Sequence, residues 1–207
     1  MVLPDYNLEQ ALISQGFFSI AGCDEAGRGA WAGPMVCGAA IIIGDPQAIL
    51  DLGVRDSKLL SEERREEIFE QLNGLVLFAS GLVTAQEIDS LGLQTANIIA
   101  AKRAIDGLSK KPDYLLIDRL AGFTHDLPHQ NLISADSKIL SVACASIVAK
   151  VTRDRIMREL DKQFPDFGFG EHKGYGTAKH LQALKSFGCL PIHRLSYRPV
   201  AEVKRRG

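Results

Sequence analysis

Gly22-Cys23-Asp24-Glu25-Ala26-Gly27-Arg28-Gly29 sets two adjacent carboxylates in front of two glycines and a cation. Just before it, Phe17-Phe18-Ser19-Ile20-Ala21 is a short apolar run with β-favouring side chains, which predicts a strand delivering Asp24 and Glu25 at its end. Neighbouring residues of a flat strand point to opposite faces, so a site using both acids is expected where the strand stops and the chain turns. Gly27 and Gly29 supply the backbone freedom for that turn.

With 207 residues, 46% of them hydrophobic and 24% charged, the chain suits a globular fold with a proper core and not a disordered or fibrous one. The four cysteines, Cys23, Cys37, Cys144 and Cys189, form no C-x-x-C pair, so buried free thiols in a reducing compartment are expected in place of disulfides or a zinc site. No basic stretch followed by a long apolar run stands near the N-terminus, and no run approaches the roughly 20 apolar residues of a membrane span, so the reading is cytoplasmic with no membrane partner. The net charge of −1 conceals an asymmetry: residues 1–149 hold 11 Lys and Arg against 19 Asp and Glu, whereas residues 150–207 hold 13 against 6. An acidic body with a basic final quarter suits a polyanion held beside a carboxylate cluster, or else a pair of solvated helix faces.

Outward from the opening stretch, residues 7–15 read as a short leading helix. Met35 to Ile43 is a second strand, antiparallel to the first because the link is short, and it ends in the turn signal Gly44-Asp45-Pro46. Ser61 caps a helix of about three turns, residues 75–83 return to strand, and Thr84 or Ala85 opens helix that runs to about Leu108 with a break at Gly92. Tyr114-Leu115-Leu116-Ile117 is a strand delivering Asp118, and Asn131 to Ser134 is a short strand leading to Asp136. The longest helical pattern runs from Ile139 to about Phe164, with Lys150, Asp154, Arg158 and Lys162 stepping along one face. Residues 165–176 read as an ordered loop, Thr177 caps a helix to about Phe187, and the tail ends in Lys204-Arg205-Arg206. The order of elements implies an α/β fold, a mixed sheet with helices on both sides.

Asp24, Glu25, Asp118 and Asp136 all stand at or just beyond predicted strand ends, which would gather them on one edge of the sheet. Four carboxylates there repel by about 4 kcal/mol per pair at 4 Å and an effective dielectric of 20, and a divalent cation is the natural compensation. Oxygen ligands without a Cys or His set favour Mg²⁺ or Mn²⁺ over Zn²⁺. Two such ions suit phosphodiester hydrolysis, with the basic final quarter holding phosphates on either side.

The strings GCDEAGRGAWAGPMV (22–36), RDSKLLS (55–61), LLID (115–118), ADSKILSVACASIVAKVTRDR (135–155) and GYGTAKHLQALKSFGCLPIHRLSYRPV (174–200) resemble ribonuclease HII, the type 2 ribonuclease H family, over roughly residues 20–198. The resemblance implies a ribonuclease-H-like mixed sheet flanked by helices. It implies a single catalytic domain over 1–207, with a small basic helical substrate-binding region at about 165–207. The implied activity is metal-dependent endonucleolytic hydrolysis of the RNA strand of RNA/DNA hybrids, and cutting at single ribonucleotides in duplex DNA, leaving 5′-phosphate and 3′-hydroxyl ends. Carried over, the catalytic and metal-binding acids fall on Asp24, Glu25, Asp118 and Asp136, serving a two-ion Mg²⁺ or Mn²⁺ site. Gly27, Arg28 and Gly29 fall where the family approaches the ribonucleotide, and Tyr175 where it contacts the neighbouring sugar. Lys58 and Arg28 are candidate phosphate contacts; His172, His180 and His193 are expected at the surface or on phosphate and not as catalytic bases. A monomer is expected, with a sliding clamp as a conceivable partner of the tail. Arg119, beside Asp118, departs from the small residue expected there, and either pairs with Asp118 or projects outward. The alternatives are a hybrid-binding module that does not cut, or another nuclease on the same sheet such as an exonuclease or resolvase.

Overall fold

The computed structural model describes residues 3–205; Arg206, part of the basic tail, lies outside the described residues. In chain order the strands are β1 (Ile20–Ala26), β2 (Met35–Ile42), β3 (Val76–Val83), β4 (Tyr114–Asp118) and β5 (His129–Leu132). The helices are α1 (Asn7–Ser14), α2 (Pro46–Asp51), α3 (Glu62–Gln71), α4 (Ala85–Leu91), α5 (Leu93–Asp106), α6 (Leu140–Gln163), α7 (Phe169–His172), α8 (Ala178–Phe187) and α9 (Arg198–Lys204). The strands form one mixed sheet in the order β3-β2-β1-β4-β5, antiparallel on the β3 side of β1 and parallel on the β5 side.

The central strand is covered on both faces. Ala21 and Cys23 of β1, with Cys37 and Ala39 of β2, pack against Ala96, Ala100 and Ala104 of α5. On the other face lies α6, whose Leu140, Ala143, Cys144, Ile147 and Val151 continue into Ile49, Ile68 and Leu72. Helix α6 reaches the strands so closely because Gly22 and Gly38 face it: a Cβ at Gly22 would overlap the Ser141 backbone, and one at Gly38 the Ala145 carbonyl. All four cysteines are free thiols, three buried and Cys189 half-buried.

The expected caps are in place: the side chains of Ser61, Thr84 and Thr177 accept from Arg64 N, Glu87 N and His180 N, with Glu87 completing a capping box at Thr84. Five local expectations are corrected. The turn signal at 44–46 opens α2, because Asp45 caps it and Pro46 fits its first turn. The loop expected at 165–176 contains a 3₁₀ turn and α7, and the tail carries α9. Strand β5 pairs over 129–132, not 131–134, because Ser134 takes a left-handed φ of 56° and turns the chain into the 3₁₀ turn Ala135–Ser137. Strand β1 runs past Asp24 and Glu25, which pair with Gly38 and Cys37, so the two acids lie within the strand and not at its end.

Helix α6 begins after Ile139, which offers no side-chain cap; the acceptor comes from α1, where Glu9 Oε1 takes the Ser141 N–H at 2.9 Å. Glu9 is buried, burial pushes its carboxyl above the usual range, and its second oxygen has no partner. Glu9→Ala is expected to cost about 1–3 kcal/mol in urea unfolding. Glu9→Gln keeps the acceptor and removes the buried charge, so at pH 7 it should be no less stable than the parent. Equal losses in both variants would refute this cap.

Candidate active site

The strand register brings the acids together. Cys23 of β1 is aligned with Ile117 of the parallel β4, so the next residues, Asp24 and Asp118, lie side by side and point to one face. That face is the α6 face, as shown by Gly22 two residues earlier, and Asp136 reaches it from the 3₁₀ turn that precedes α6. Glu25 points to the α5 face. An open cleft of about 550 Å³ is lined by Asp24, Glu25, Gly27, Arg28, Gly29 and Asp118, and across it by Lys58, Arg65, Lys150 and Tyr175. Asp136 stands behind this lining, joined to it by Lys58, whose Nζ donates to Asp136 Oδ2 at 3.4 Å.

The acids carry more negative charge than their surroundings compensate. Burial first, then the neighbouring Glu25 and Asp118 carboxylates, hold Asp24 well above the usual carboxylate range. Burial likewise raises Glu25 and Asp118, with Asp118 adding to Glu25 and Asp136 to Asp118. Specific groups oppose this. Glu25 N donates to Asp24 Oδ1 at 2.8 Å, Ala135 N to Asp118 Oδ1 at 2.7 Å, and the Ser146 hydroxyl favours ionised Asp24. Although partial burial pulls it down, Lys58 is pushed up to about 12 by Asp24, Asp56 and Asp136. Asp24 Oδ2 remains buried without a hydrogen-bond partner. An acceptor-only oxygen in that condition, among three other carboxylates, fits a hard divalent cation with oxygen preference. Among the described residues no three such side chains are gathered into a ready-made cage, so the acids line the cleft without closing around a point.

The segments around Gly27–Gly29 and Tyr175 are held by two buried arginines. Arg153 of α6, 0% exposed, donates to Pro34 O and Lys173 O at 2.9 Å and to Ala32 O at 3.3 Å. Arg194, also 0% exposed, donates to Gly33 O at 3.0 Å and to Arg28 O at 3.0 Å, and Tyr197 OH also donates to Arg28 O. Gly27 takes φ 87° and leaves no room for a Cβ beside Arg153, whereas Gly29 is exposed with open space around it. Tyr175 is partly exposed, with the Arg153 guanidinium 5.2 Å from its ring centroid.

Two expectations about charge are corrected. The basic final quarter does not line the cleft as a block: Arg155 pairs with Glu66 and Glu70, Arg158 with Glu62 and Glu66, and Lys173 with Glu62. Acids one turn apart on α3 face these cations and neutralise them. Among the described residues, Lys150 is the one cation of that quarter that lines the cleft; Arg28, Lys58 and Arg65 come from the acidic body. His172, His180 and His193 are not at the surface but buried, at 8%, 0% and 1% exposure, because their ring nitrogens find partners inside the protein. Arg119 takes a left-handed φ of 30°, and its exposed side chain forms no ion pair with Asp118.

Several residues of the site carried no signal in the sequence. Asn97 of α5 is 1% exposed, lacks a partner at normal bonding distance, and stands near enough to Glu25 to favour its ionised form. Ser146 also bonds Ser57 at 2.9 Å, tying α6 to the loop that carries Lys58. Asp154, 1% exposed, holds Lys150 at 2.7 Å and Arg65 at 3.4 Å. A helix-face Asp four residues from a Lys reads as solvated charge; only the fold reveals its burial.

A family model described as Ribonuclease HII matches residues 21–200. The ribonuclease HII of Syntrophotalea carbinolica is 44% identical over 196 residues, covering 94% of this chain and 92% of that protein. Among solved structures, the ribonuclease H2 of Pyrococcus horikoshii OT3 superposes with a TM-score of 0.78 at 30% identity, covering 91% of this chain and 98% of its own. The ribonuclease HII of Archaeoglobus fulgidus, solved in complex with PCNA, gives 0.72 at 28% identity, covering 89% and 96%.

Proposed function

Because this chain belongs to the ribonuclease HII family of endoribonucleases, we propose that it cuts the RNA strand of RNA/DNA hybrids, and single ribonucleotides in duplex DNA, in a reaction that depends on Mg²⁺ or Mn²⁺. The observation that carries this reading is the shared cleft of Asp24, Glu25 and Asp118, with Asp136 behind it and one buried carboxylate oxygen lacking a partner. These four acids would hold the ions. The chemistry that a bound pair of divalent ions supplies is acidification of the attacking water and neutralisation of charge on the leaving 3′ oxygen, which leaves 5′-phosphate and 3′-hydroxyl ends.

The chain's own residues do the rest. Asn97 and Ser146 steady the ionised forms of Glu25 and Asp24. Arg28, Lys58, Arg65 and Lys150 set positive charge around the acids, where flanking phosphates would lie. Lys58 must then exchange Asp56 and Asp136 for phosphate, an exchange its exposure permits. Gly27, Arg28 and Gly29 present backbone to the ribose, whose 2′-hydroxyl distinguishes RNA from DNA, and Tyr175 offers a ring to the adjoining sugar. The part from about residue 165 is included in substrate binding through Tyr175. A sliding-clamp contact of the tail belongs to the same proposal, supported by the Archaeoglobus complex.

The deciding experiment is cleavage of a duplex bearing one ribonucleotide, in Mg²⁺ and separately in Mn²⁺, with the cut mapped. Cutting at the ribonucleotide in either metal and none with chelator is expected; cutting in chelator, or of all-DNA duplex, would overturn the reading. Gly29→Ala separates substrate recognition from folding. The Cβ meets nothing within 4 Å, so the melting temperature should stay within about 2 °C of the parent, while kcat/KM on the single-ribonucleotide duplex falls about tenfold or more. A stability loss with unchanged discrimination would remove Gly29 from the ribose contact.

A further inference from the structure

The three buried histidines form a chain whose proton positions are dictated by their partners. Leu190 N lies 2.9 Å from His193 Nδ1, nearer than Leu190 O at 3.3 Å, and since an amide N–H can only donate, the shorter contact assigns that nitrogen no proton. The proton of neutral His193 is therefore on Nε2, 3.0 Å from His180 Nε2, which must accept it. The proton of His180 is then on Nδ1, 3.0 Å from the carbonyl of Tyr175, an acceptor. His172 stacks on His180 with centroids 4.6 Å apart; its Nδ1 accepts from Gly174 N at 3.2 Å and its Nε2 donates to Phe167 O at 2.8 Å. Each ring uses both nitrogens, and an added proton on His180 would set two N–H groups against each other.

The output of this chain is the segment Gly174–Gly176. His180 holds Tyr175 O, His172 holds Gly174 N, and Tyr175 N donates to His172 O at 2.9 Å. Two of the backbone groups that fix where Tyr175 enters the cleft, Tyr175 O and Gly174 N, are thus met by neutral imidazoles with defined tautomers, beside Thr177 N on Tyr175 O and Trp31 N and Ala32 N on Gly174 O. Burial, with the neighbouring imidazoles, pulls His180 and His193 down to about 4, in keeping with rings that stay neutral.

We propose that His193, His180 and His172 are positioning residues for Tyr175: a neutral imidazole relay that fixes the tyrosine against the sugar of the bound duplex. The proposal rests on the reading of Tyr175 as a substrate contact given above. None of the three histidines touches the substrate; each acts through the 174–176 backbone.

Two measurements test it. Long-range ¹H–¹⁵N spectra of the histidine rings at pH 7, assigned with single variants, should show His180 as the less common Nδ1–H tautomer and His172 and His193 as Nε2–H. An Nε2–H or doubly protonated His180 overturns the relay whether or not the protein cuts RNA. The second is a double-mutant cycle in cleavage of the single-ribonucleotide duplex. His193→Leu, which removes the donor, should lower kcat/KM about fivefold or more, and His193→Gln, which returns an N–H near the Nε2 position, should recover most of it. In a Tyr175→Ala background His193→Leu should add no further loss. Additive losses, or a Gln variant as poor as the Leu variant, would show that the histidines act only on folding. Should the parent protein cut no ribonucleotide-containing duplex, the reading of function fails, while the tautomers still report on the relay.

Discussion

Asp24→Asn is expected to lower cleavage of a ribonucleotide-containing duplex by about 10³-fold or more and, in metal-free buffer, to raise the melting temperature. The two effects share one cause. Asp24 is 4% exposed, and burial together with Glu25 and Asp118 holds its proton affinity above that of an unfolded chain. A carboxyl whose folded pKa is raised favours the folded state while protonated and loses that advantage as pH climbs through the folded value, so the ionised group is a net cost. Asn has the same shape, can still accept from Glu25 N through Oδ1, and carries no charge. Removing an under-compensated buried charge contributes on the order of 1–3 kcal/mol, or about 2–4 °C per kcal/mol for a chain of this size. The same substitution removes the unpartnered Oδ2 on which the fit to a cation rests. Added Mg²⁺ or Mn²⁺ should therefore raise the melting temperature of the parent and raise that of Asp24→Asn far less, since a ligand stabilises only the state that binds it. Hybrid binding, measured by fluorescence anisotropy, should survive. A variant that still cuts in metal, or one that keeps the full metal-induced shift, would remove Asp24 from the site.

Arg153→Met should have the largest effect on stability, about 3–5 kcal/mol in urea unfolding and roughly 10 °C in melting temperature. Arg153 is fully buried without an acidic hydrogen-bonding partner; burial pulls its guanidinium down to about 10, which leaves it charged at pH 7. Its charge is met by the carbonyl dipoles of Ala32, Pro34 and Lys173. Met fills much of the volume but returns nothing to those carbonyls, and each buried polar group left unpaired costs about 1–3 kcal/mol. These carbonyls sit in the segments following Gly29 and preceding Gly174, which are also joined by Trp31 N and Ala32 N donating to Gly174 O. Loss of the guanidinium should thus loosen both segments while the sheet persists. Arg153→Lys should not rescue, because one ammonium cannot span three carbonyls as a planar fork does. A Met variant within about 1 kcal/mol of the parent would contradict this account.

Much of the fold was legible in the sequence because the signals are local. Ser61, Thr84 and Thr177 cap helices within three residues of themselves, and the apolar run before Asp118 forms a strand; of the run at 17–21 Ile20 and Ala21 belong to β1, residues 17–19 standing before it. Where a local signal had two outcomes, the reading missed: Asp45-Pro46 serves a turn or a helix start equally, and Asn131 to Ser134 was displaced by a left-handed Ser134. His172, His180 and His193 read as surface or phosphate-contacting residues, since nothing local shows that the three meet ring to ring.

The sequence by itself determined which residues are candidates for the chemistry: four acids without a Cys or His set, a Gly-Arg-Gly run, and a tyrosine between glycines. Tertiary structure decided how they meet. Asp24 and Glu25 lie inside β1 and leave it on opposite sides, and the cleft at the end of that strand is what brings both carboxylates into one lining. The alignment of Cys23 with Ile117 places Asp118 beside Asp24, and close approach of α6 over Gly22 and Gly38 brings Asp136 to the same face. Strand register and helix approach are set by contacts far apart in the chain, and a motif fixes only what its own residues can reach.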